Sequence, residues 1–240
     1  MCSSDLELLD DTYLIVSSNN SHTVEAELHS IEQWALKNNL TLNKSKSVEL
    51  IIYSSERAKA NAPPCETLPG IQRAEAIKIL GVTIQSNLSM SSHVNEVIQS
   101  SSQALYALKM LKAHGLDSKT IQLVCQATVI SRLTYASPSW WGFTSSEDRQ
   151  RLESVVNKAV RWGFYDSAKP NLDQICKKRE YDLFKKVLSN PYHVLHHLLP
   201  PVKASVYNLR ERVHNRQLPN RGGALLSKTF VQRMIYKDAY

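Results

Sequence analysis

The apolar positions in the first part of the chain follow a strand pattern first and a helical pattern next. Residues 12–18 are rich in Thr, Tyr, Ile and Val and predict a β-strand. Over residues 23–39 the apolar side chains recur at helical spacing, and acidic residues lie in the first turn, where the helix dipole favours negative charge. We expect a helix over this range, ended by the pair Asn38-Asn39.

Extended segments and turns follow this helix. Residues 40–42 and 48–53 are expected to be extended, on either side of the basic turn at residues 43–46. Residues 54–70 contain three of the nine prolines and few large apolar side chains, which predicts a loop. Residues 77–84 predict a strand pair or one bent strand, in which Gly81 marks a bulge, a tight turn or a close backbone approach.

After about residue 90 the apolar period changes from two to 3.6 residues, which indicates helices. A long helix is expected to end at His114-Gly115, and further helices are predicted over residues 118–134, 146–162 and 180–190. Residues 200–240 are basic and loosely patterned. The order predicts an α+β protein in which a small unit of short antiparallel strands and one helix precedes an all-helical unit, with a boundary near residues 88–92.

The composition is that of a soluble globular protein, with 240 residues, 42% hydrophobic and 21% charged. No run of about 18 apolar residues predicts a membrane span, and the N-terminus lacks the order of a signal peptide. The four cysteines are far apart and form no C-x-x-C pair, which argues against a zinc cluster or a disulfide scaffold. Reduced intracellular thiols are the simpler interpretation.

The distribution of charge separates the two ends of the chain. Residues 1–148 contain 11 Lys and Arg against 15 Asp and Glu, a balance of −4. Residues 149–240 contain 18 against 7, a balance of +11. Such a basic region is typical of proteins that bind a polyanion, above all nucleic acid. A solvated basic face that only aids solubility explains the charge equally well.

Two adjacent carboxylates, Asp10 and Asp11, lie in the segment DLELLDDTYLIVSS. Carboxylates in a turn between strands suit Mg²⁺, which prefers oxygen ligands. Enzymes that transfer nucleotidyl groups use two such ions, on the attacking and the leaving oxygen. Two carboxylates alone hold this pair of ions poorly, and a third from a neighbouring strand is normally needed. In isolation, a turn or a helix cap explains an Asp-Asp pair more often than a metal site does.

The context of the pair adds a series of motifs in a fixed order. These are Asp10-Asp11-Thr12-Tyr13-Leu14-Ile15-Val16, Gln33-Trp34-Ala35 late in the predicted helix, Leu40-Thr41-Leu42-Asn43-Lys44-Ser45-Lys46, Ile79-Leu80-Gly81-Val82-Thr83-Ile84, Ser137-Pro138-Ser139-Trp140-Trp141-Gly142 and Lys158-Ala159-Val160-Arg161. The series resembles reverse transcriptases of LINE-type (non-LTR, jockey-like) retrotransposons, from the distal palm onward. The resemblance covers nearly the whole chain.

The resemblance implies roles for particular residues of the palm. Asp10 and Asp11 would be catalytic and would bind Mg²⁺, the cofactor of the family. Lys46 would be catalytic as well and would meet the triphosphate, although an exposed turn lysine is the alternative. Leu80-Gly81-Val82 would form the primer grip, where glycine lets the backbone approach the primer end.

The resemblance also implies a domain order and partners. Residues 1–90 would be a partial palm, residues 91–199 a helical thumb and connection-like region, and residues 200–240 a basic tail. The nucleic-acid-binding residues would be Lys109, Lys112, Lys158 and Arg161. The partners would be an RNA template and a DNA primer, in the cytoplasm and nucleus, with no membrane contact. For Trp140 and Trp141, packing is favoured over base stacking.

Two features depart from the family pattern. Leu8-Leu9 stand where the family has an aromatic residue and Ala, and only nine residues precede the pair at Asp10. In the family the fingers and the first palm strand, with its own catalytic Asp, come before this point. We therefore expect a fragment of an RNA-directed DNA polymerase that does not polymerise DNA by itself. A non-catalytic nucleic-acid-binding module and a functionless relic of an element are the alternatives.

Overall fold

A computed structural model of the chain describes residues 12–53, 55–62, 67–203, 214–220 and 223–237. The chain divides into two compact units. The first comprises Met1–Glu49 and Pro64–Ala74, and the second comprises Leu50–Pro63 and Glu75–Tyr240. The described secondary structure is α+β, as predicted from the sequence. The functional division into residues 1–90, 91–199 and 200–240 remains a prediction.

The helix predicted over residues 23–39 is α1, Val24–Lys37. It ends where Asn39 adopts a left-handed φ of 57°. In this conformation the Leu40 amide donates a hydrogen bond to the Ala35 carbonyl at 2.8 Å. The predicted stop is confirmed, since asparagine tolerates the left-handed backbone that commonly ends a helix.

The strand predicted over residues 12–18 is wrong. Residues 12–17 form no strand, and a 3-10 turn begins at Ser18 and continues to Thr23. Ile15 is 92% exposed. Strand propensity reflects how well a side chain fits a half-buried sheet, so a strand-like composition without a neighbouring strand does not form one.

The extended segment predicted at residues 48–53 contributes only the short strand β1, Val48–Glu49. It pairs in parallel with β2, Gln72–Arg73, and Arg73 donates to the Glu49 carboxylate at 2.8 Å. The expectation that the strands of this region are antiparallel is wrong for β1 and β2. The connection over residues 50–71 is long enough to allow the parallel pairing.

Residues 54–70 were predicted as a loop, but the part of this range that belongs to the second unit contains a short helix. Helix α2 covers Glu56–Ala60, and the Ser55 hydroxyl caps it by accepting a hydrogen bond from the Ala58 amide at 3.1 Å. Strands β3, Ala76–Ile79, and β4, Val82–Gln85, then form an antiparallel hairpin. The predicted strand pair is confirmed.

The remaining helices within the described ranges belong to the second unit. They are α3 Ser91–Ala113, α4 Ser118–Cys125, α5 Ser131–Leu133, α6 Ser137–Trp140, α7 Ser146–Arg161, α8 Leu172–Ser189 and α9 Phe230–Tyr236. A π-helical segment, Gln126–Ile130, joins α4 to α5. The helices predicted to end at His114-Gly115 and to cover residues 118–134 and 146–162 are confirmed, and α6 and α9 were not predicted.

Helix α8 begins earlier than the predicted range of 180–190, because its first turn carries a capping box. The Asn171 side chain accepts a hydrogen bond from the Gln174 amide at 2.9 Å, and the Gln174 side chain accepts one from the Asn171 amide at 3.0 Å. Leu172, Cys176 and Glu180 are buried at four-residue spacing along one face. The helix therefore starts at Leu172, before the charged run Lys177-Lys178-Arg179-Glu180, which interrupts the apolar repeat in the sequence.

The main hydrophobic core lies between the helices of the second unit and includes Val82 of the hairpin. Leu105 of α3, Trp140 of α6 and Leu152 of α7 are each fully buried in it. A second, smaller core joins α8 to α9 through Phe184, Val187, Met234 and Ile235, among others. Of the described helices, none combines the length and the apolar character required to cross a bilayer.

Within the second unit, the C-terminal segment is fixed to helix α8 by a buried ion pair. Glu180 of α8 is 3% exposed and accepts a hydrogen bond from the Arg233 guanidinium at 2.5 Å. Arg233 also donates to the Lys228 carbonyl at 3.0 Å. A Cβ atom at Gly142 would collide with this carbonyl oxygen and with the Arg233 side chain. Gly142 is therefore the point where the backbone of the turn after α6 lies against the C-terminal segment.

Candidate nucleic-acid interface

The two carboxylates predicted to be catalytic and to bind metal, Asp10 and Asp11, lie outside the described residues. Across the ranges that the structure describes, no group of three or more His, Cys, Asp or Glu side chains is placed to hold a metal ion. Two-metal chemistry of the kind that the resemblance implies uses more carboxylates than this pair. The Mg²⁺ site therefore remains a prediction that depends on Asp10 and Asp11.

Lys46, the third residue predicted to be catalytic, lies in an exposed turn of the first unit. The Asn43 side-chain oxygen accepts hydrogen bonds from the Lys46 amide at 3.2 Å and from the Ser45 hydroxyl at 2.7 Å. This geometry is typical of a turn that asparagine initiates. Local hydrogen bonds thus account for the turn, and a contact between Lys46 and a triphosphate remains a prediction.

The predicted primer-grip residues form the turn of the β3–β4 hairpin. Ile79 pairs with Val82, so Leu80 and Gly81 are the two central residues of the turn. Their φ angles are 46° and 84°. Positive φ at both central residues defines a type I′ turn, which suits the twist of a hairpin and usually has Asn or Asp before Gly. Leu80 departs from that preference, and its side chain is 74% exposed.

Polar contacts fix this hairpin to helix α3. The Thr83 hydroxyl donates to Glu96 at 2.8 Å, and Lys78 donates to the other oxygen of Glu96 at 3.1 Å. These hydrogen bonds, from Thr83 first and Lys78 second, lower the pKa of the Glu96 carboxyl below its ordinary value. The Thr83 amide donates to the Nδ1 atom of buried His93 at 3.3 Å. Burial lowers the pKa of His93, so the imidazole is kept neutral and able to accept this hydrogen bond.

Three of the four predicted nucleic-acid-binding residues converge on one tryptophan. The ammonium groups of Lys109 and Lys158 lie 5.5 Å and 4.8 Å from the centroid of the Trp162 ring. Lys112 donates a hydrogen bond to the Trp162 carbonyl at 3.2 Å. We call Lys109, Lys112, Lys158 and Trp162 the Trp162 cluster. It brings lysines from α3 and α7 to one aromatic side chain, in an arrangement typical of cation–π contacts.

Part of this positive charge is explained by the helix ends. Lys112 lies in the last turn of α3, and Lys158 and Arg161 lie in the last turn of α7. A helix carries partial negative charge at its C-terminus, where cations stabilise it. The ends of α3 and α7 therefore account for the placement of Lys112, Lys158 and Arg161 without any ligand.

The basic residues of this region are not equivalent. Lys112 is committed to the fold, because its ammonium group contacts a backbone carbonyl and also lies 5.5 Å from the centroid of the Phe164 ring. Lys109 and Lys158 contact an aromatic ring and no carbonyl among the described residues. Arg161 is exposed. Lys109, Lys158 and Arg161 are thus the cations best placed to meet an anion from solution.

Two residues of this interface were not predicted from the sequence. Trp162 directly follows Arg161. An aromatic residue beside basic residues near the end of a predicted helix could have identified it as part of the candidate interface. Tyr135 contacts the hairpin turn through its hydroxyl group, which donates to the Leu80 carbonyl at 3.1 Å. No sequence pattern links residues so far apart, so the contact between Tyr135 and the turn could not be predicted from the sequence.

Trp140 and Trp141 belong to the core rather than to the interface. Trp140 is 0% exposed and Trp141 is 2% exposed. The Trp140 indole donates to the Tyr135 carbonyl at 2.8 Å, which satisfies its polar atom within the core. The preference for packing over base stacking at these two residues is confirmed.

No protein-family model, curated protein or solved structure matches the chain.

Proposed function

We propose that the second unit binds nucleic acid, and that the Trp162 cluster with Arg161 is its contact with the phosphate backbone. The observation that carries the proposal is the convergence of Lys109 and Lys158 on the Trp162 ring, within 5.5 Å of its centroid. Lysines that are ordered in advance lose less side-chain entropy when they meet a phosphate. The net charge of +7 on the whole chain adds long-range attraction for a polyanion.

We further propose that the chain is the palm and thumb portion of a reverse transcriptase of LINE-type retrotransposons. The support is the order of motifs along the sequence, together with a hairpin whose Leu80-Gly81 turn fits a close backbone approach to a primer strand. In this proposal the ligand is an RNA–DNA hybrid, formed by an RNA template and a DNA primer. Asp10 and Asp11 would hold Mg²⁺ in the complete enzyme, and Lys46 would contact the triphosphate.

The binding proposal predicts the behaviour of the double variant Lys109→Gln/Lys158→Gln. Removing two phosphate contacts should make the slope of log K against log salt concentration shallower by roughly two units, because fewer counterions are released. We expect affinity for a short RNA–DNA hybrid to fall about a hundredfold at moderate salt, since each of the two lost phosphate contacts is worth about 1.5 kcal/mol, the low end for a hydrogen bond to a charged group. Fluorescence anisotropy over a salt series measures both quantities.

A charge-matched control is Lys119→Gln/Lys178→Gln, which removes two exposed lysines of α4 and α8. It lowers the net charge equally, so it reports the long-range part of the attraction. If both double variants weaken binding to the same extent, the Trp162 cluster is not a specific contact. Binding of the unaltered chain that is absent at low salt, or indifferent to salt, would contradict the proposal altogether.

Polymerase activity is tested separately by primer extension. From the resemblance we expect no incorporation by the 240-residue polypeptide with Mg²⁺ and dNTPs on a primed RNA template. Incorporation that Asp10→Ala abolishes would overturn this expectation and identify the chain as an enzyme. Hybrid binding by the Asp10→Ala variant should equal that of the unaltered chain, because the proposed phosphate contact lies elsewhere in the sequence.

A further inference from the structure

The turn at Leu80-Gly81 has a backbone that its first residue does not favour. A left-handed conformation is unfavourable for a residue with a Cβ atom, because this atom then lies too close to the following carbonyl oxygen, and Leu80 has a φ of 46°. Burial does not offset this cost, because the side chain is 74% exposed. Asparagine at this position would favour the same turn. An interaction from outside the hairpin must therefore help to hold the turn.

Tyr135 provides that interaction. Its hydroxyl group donates a hydrogen bond to the carbonyl of Leu80 at 3.1 Å. Its ring lies against Gly81, so that a Cβ atom built on Gly81 would be 3.3 Å from the Cε1 atom of the ring. One side chain thus contacts both central residues of the turn. The contact with Gly81 depends on the absence of a side chain there.

Tyr135 is itself fixed by the core of the second unit. Its carbonyl accepts a hydrogen bond from the buried Trp140 indole at 2.8 Å. The preceding carbonyl, of Thr134, accepts one from the Arg179 guanidinium of α8 at 2.6 Å. The next residue, Ala136, has a left-handed φ of 48°. Hydrogen bonds from two helices therefore set the backbone from which the Tyr135 side chain reaches the hairpin.

We infer that Tyr135 is a positioning residue that holds the Leu80-Gly81 turn in the conformation that meets nucleic acid. This inference rests on the proposed function, in which the turn contacts the primer strand of a hybrid. Tyr135 acts through Leu80 and Gly81 by restricting the turn before the ligand arrives, which lowers the entropy lost on binding. Without the hydroxyl group, the turn samples other conformations and the contact weakens.

The test compares Tyr135→Phe with Tyr106→Phe, a matched control at another exposed tyrosine, on α3. Tyr135→Phe removes one hydrogen bond and keeps the ring, so we expect affinity for an RNA–DNA hybrid to fall about three- to tenfold. The salt slope should stay unchanged, because no phosphate contact is lost. The amide-to-Hα coupling constant of Leu80, measured by NMR on the unliganded chain, should shift away from its left-handed value. Tyr106→Phe should change none of these quantities.

A double-mutant cycle with Leu80→Asn isolates the positioning effect. The Asn-Gly pair forms a type I′ turn by itself, so Tyr135→Phe should cost little affinity and leave the turn unchanged in the Leu80→Asn background. An equal loss in both backgrounds, or an unchanged Leu80 coupling constant in Tyr135→Phe, would overturn the inference. If the unaltered chain does not bind the hybrid, the proposed function fails, and the coupling constant alone decides whether Tyr135 sets the turn.

Discussion

The variant Gly142→Ala should lose about 3 kcal/mol of unfolding free energy, the upper end of the cost of overpacking. A Cβ atom at this position would collide with the Lys228 carbonyl oxygen and the Arg233 guanidinium. A backbone carbonyl cannot rotate away as the end of a flexible side chain can. The C-terminal segment must therefore shift, which weakens the packing of Met234 and Ile235 in the smaller core. Urea unfolding followed by circular dichroism measures the change.

Gly223→Ala is the matched control, because nothing lies within 4 Å of a Cβ atom built there. Replacing an unconstrained glycine by alanine should leave stability unchanged or raise it by about 0.5 kcal/mol, since the unfolded chain loses freedom. Limited proteolysis adds a local measurement, in which Gly142→Ala should expose cleavage sites in residues 223–237. A Gly142→Ala variant as stable as the control would contradict the close approach of the C-terminal segment.

The second large effect is expected for Glu180→Ala. Glu180 is 3% exposed and its partner Arg233 has 22% of its side chain exposed. Removing one member of a buried ion pair leaves the other charge without compensation, which costs about 3–5 kcal/mol when both are buried. Because Arg233 keeps some contact with water, we expect a loss of about 2–3 kcal/mol, at or below the low end of that range. Chemical denaturation at two salt concentrations measures the loss and its screening.

Two further variants separate charge from packing. Asp182→Ala removes an exposed carboxylate from the same helix and should change stability by less than about 0.5 kcal/mol. The double replacement Glu180→Met/Arg233→Met removes both charges and fills the space with apolar atoms, so it should recover most of the loss. If the double variant is as unstable as Glu180→Ala, the ion pair is not the cause of the effect.

Most helices of the second unit could be predicted because the spacing of apolar residues along a helix is a local property of the sequence. In α3 and α7 the apolar residues repeat every three or four positions, and the buried faces follow that repeat. The strand predicted over residues 12–18 failed because a strand depends on a partner that no local pattern identifies. Helix α9 was missed because it is short and lies in a basic region, where its burial comes from packing against α8.

The sequence identified individual residues of the candidate interface, but it did not predict how they are arranged in space. Lys109 and Lys158 were selected for their charge, but their meeting at Trp162 depends on how α3 and α7 pack together. The hairpin turn was predicted from Gly81, whereas the contact from Tyr135 joins positions 55 residues apart. Local sequence reports the chemistry of each side chain, and tertiary packing decides which of them act together.

The ion pair between Glu180 and Arg233 also constrains when the protein can finish folding. During synthesis, α8 is complete while Arg233 has not yet been added to the chain. Until Arg233 is added, Glu180 lacks this cation to compensate its charge. Burial of the Glu180 carboxylate is then unfavourable, which disfavours closure of the smaller core. Domains usually fold from the N-terminus as they emerge. Here α9 is synthesised after α8, so the smaller core cannot close when α8 emerges.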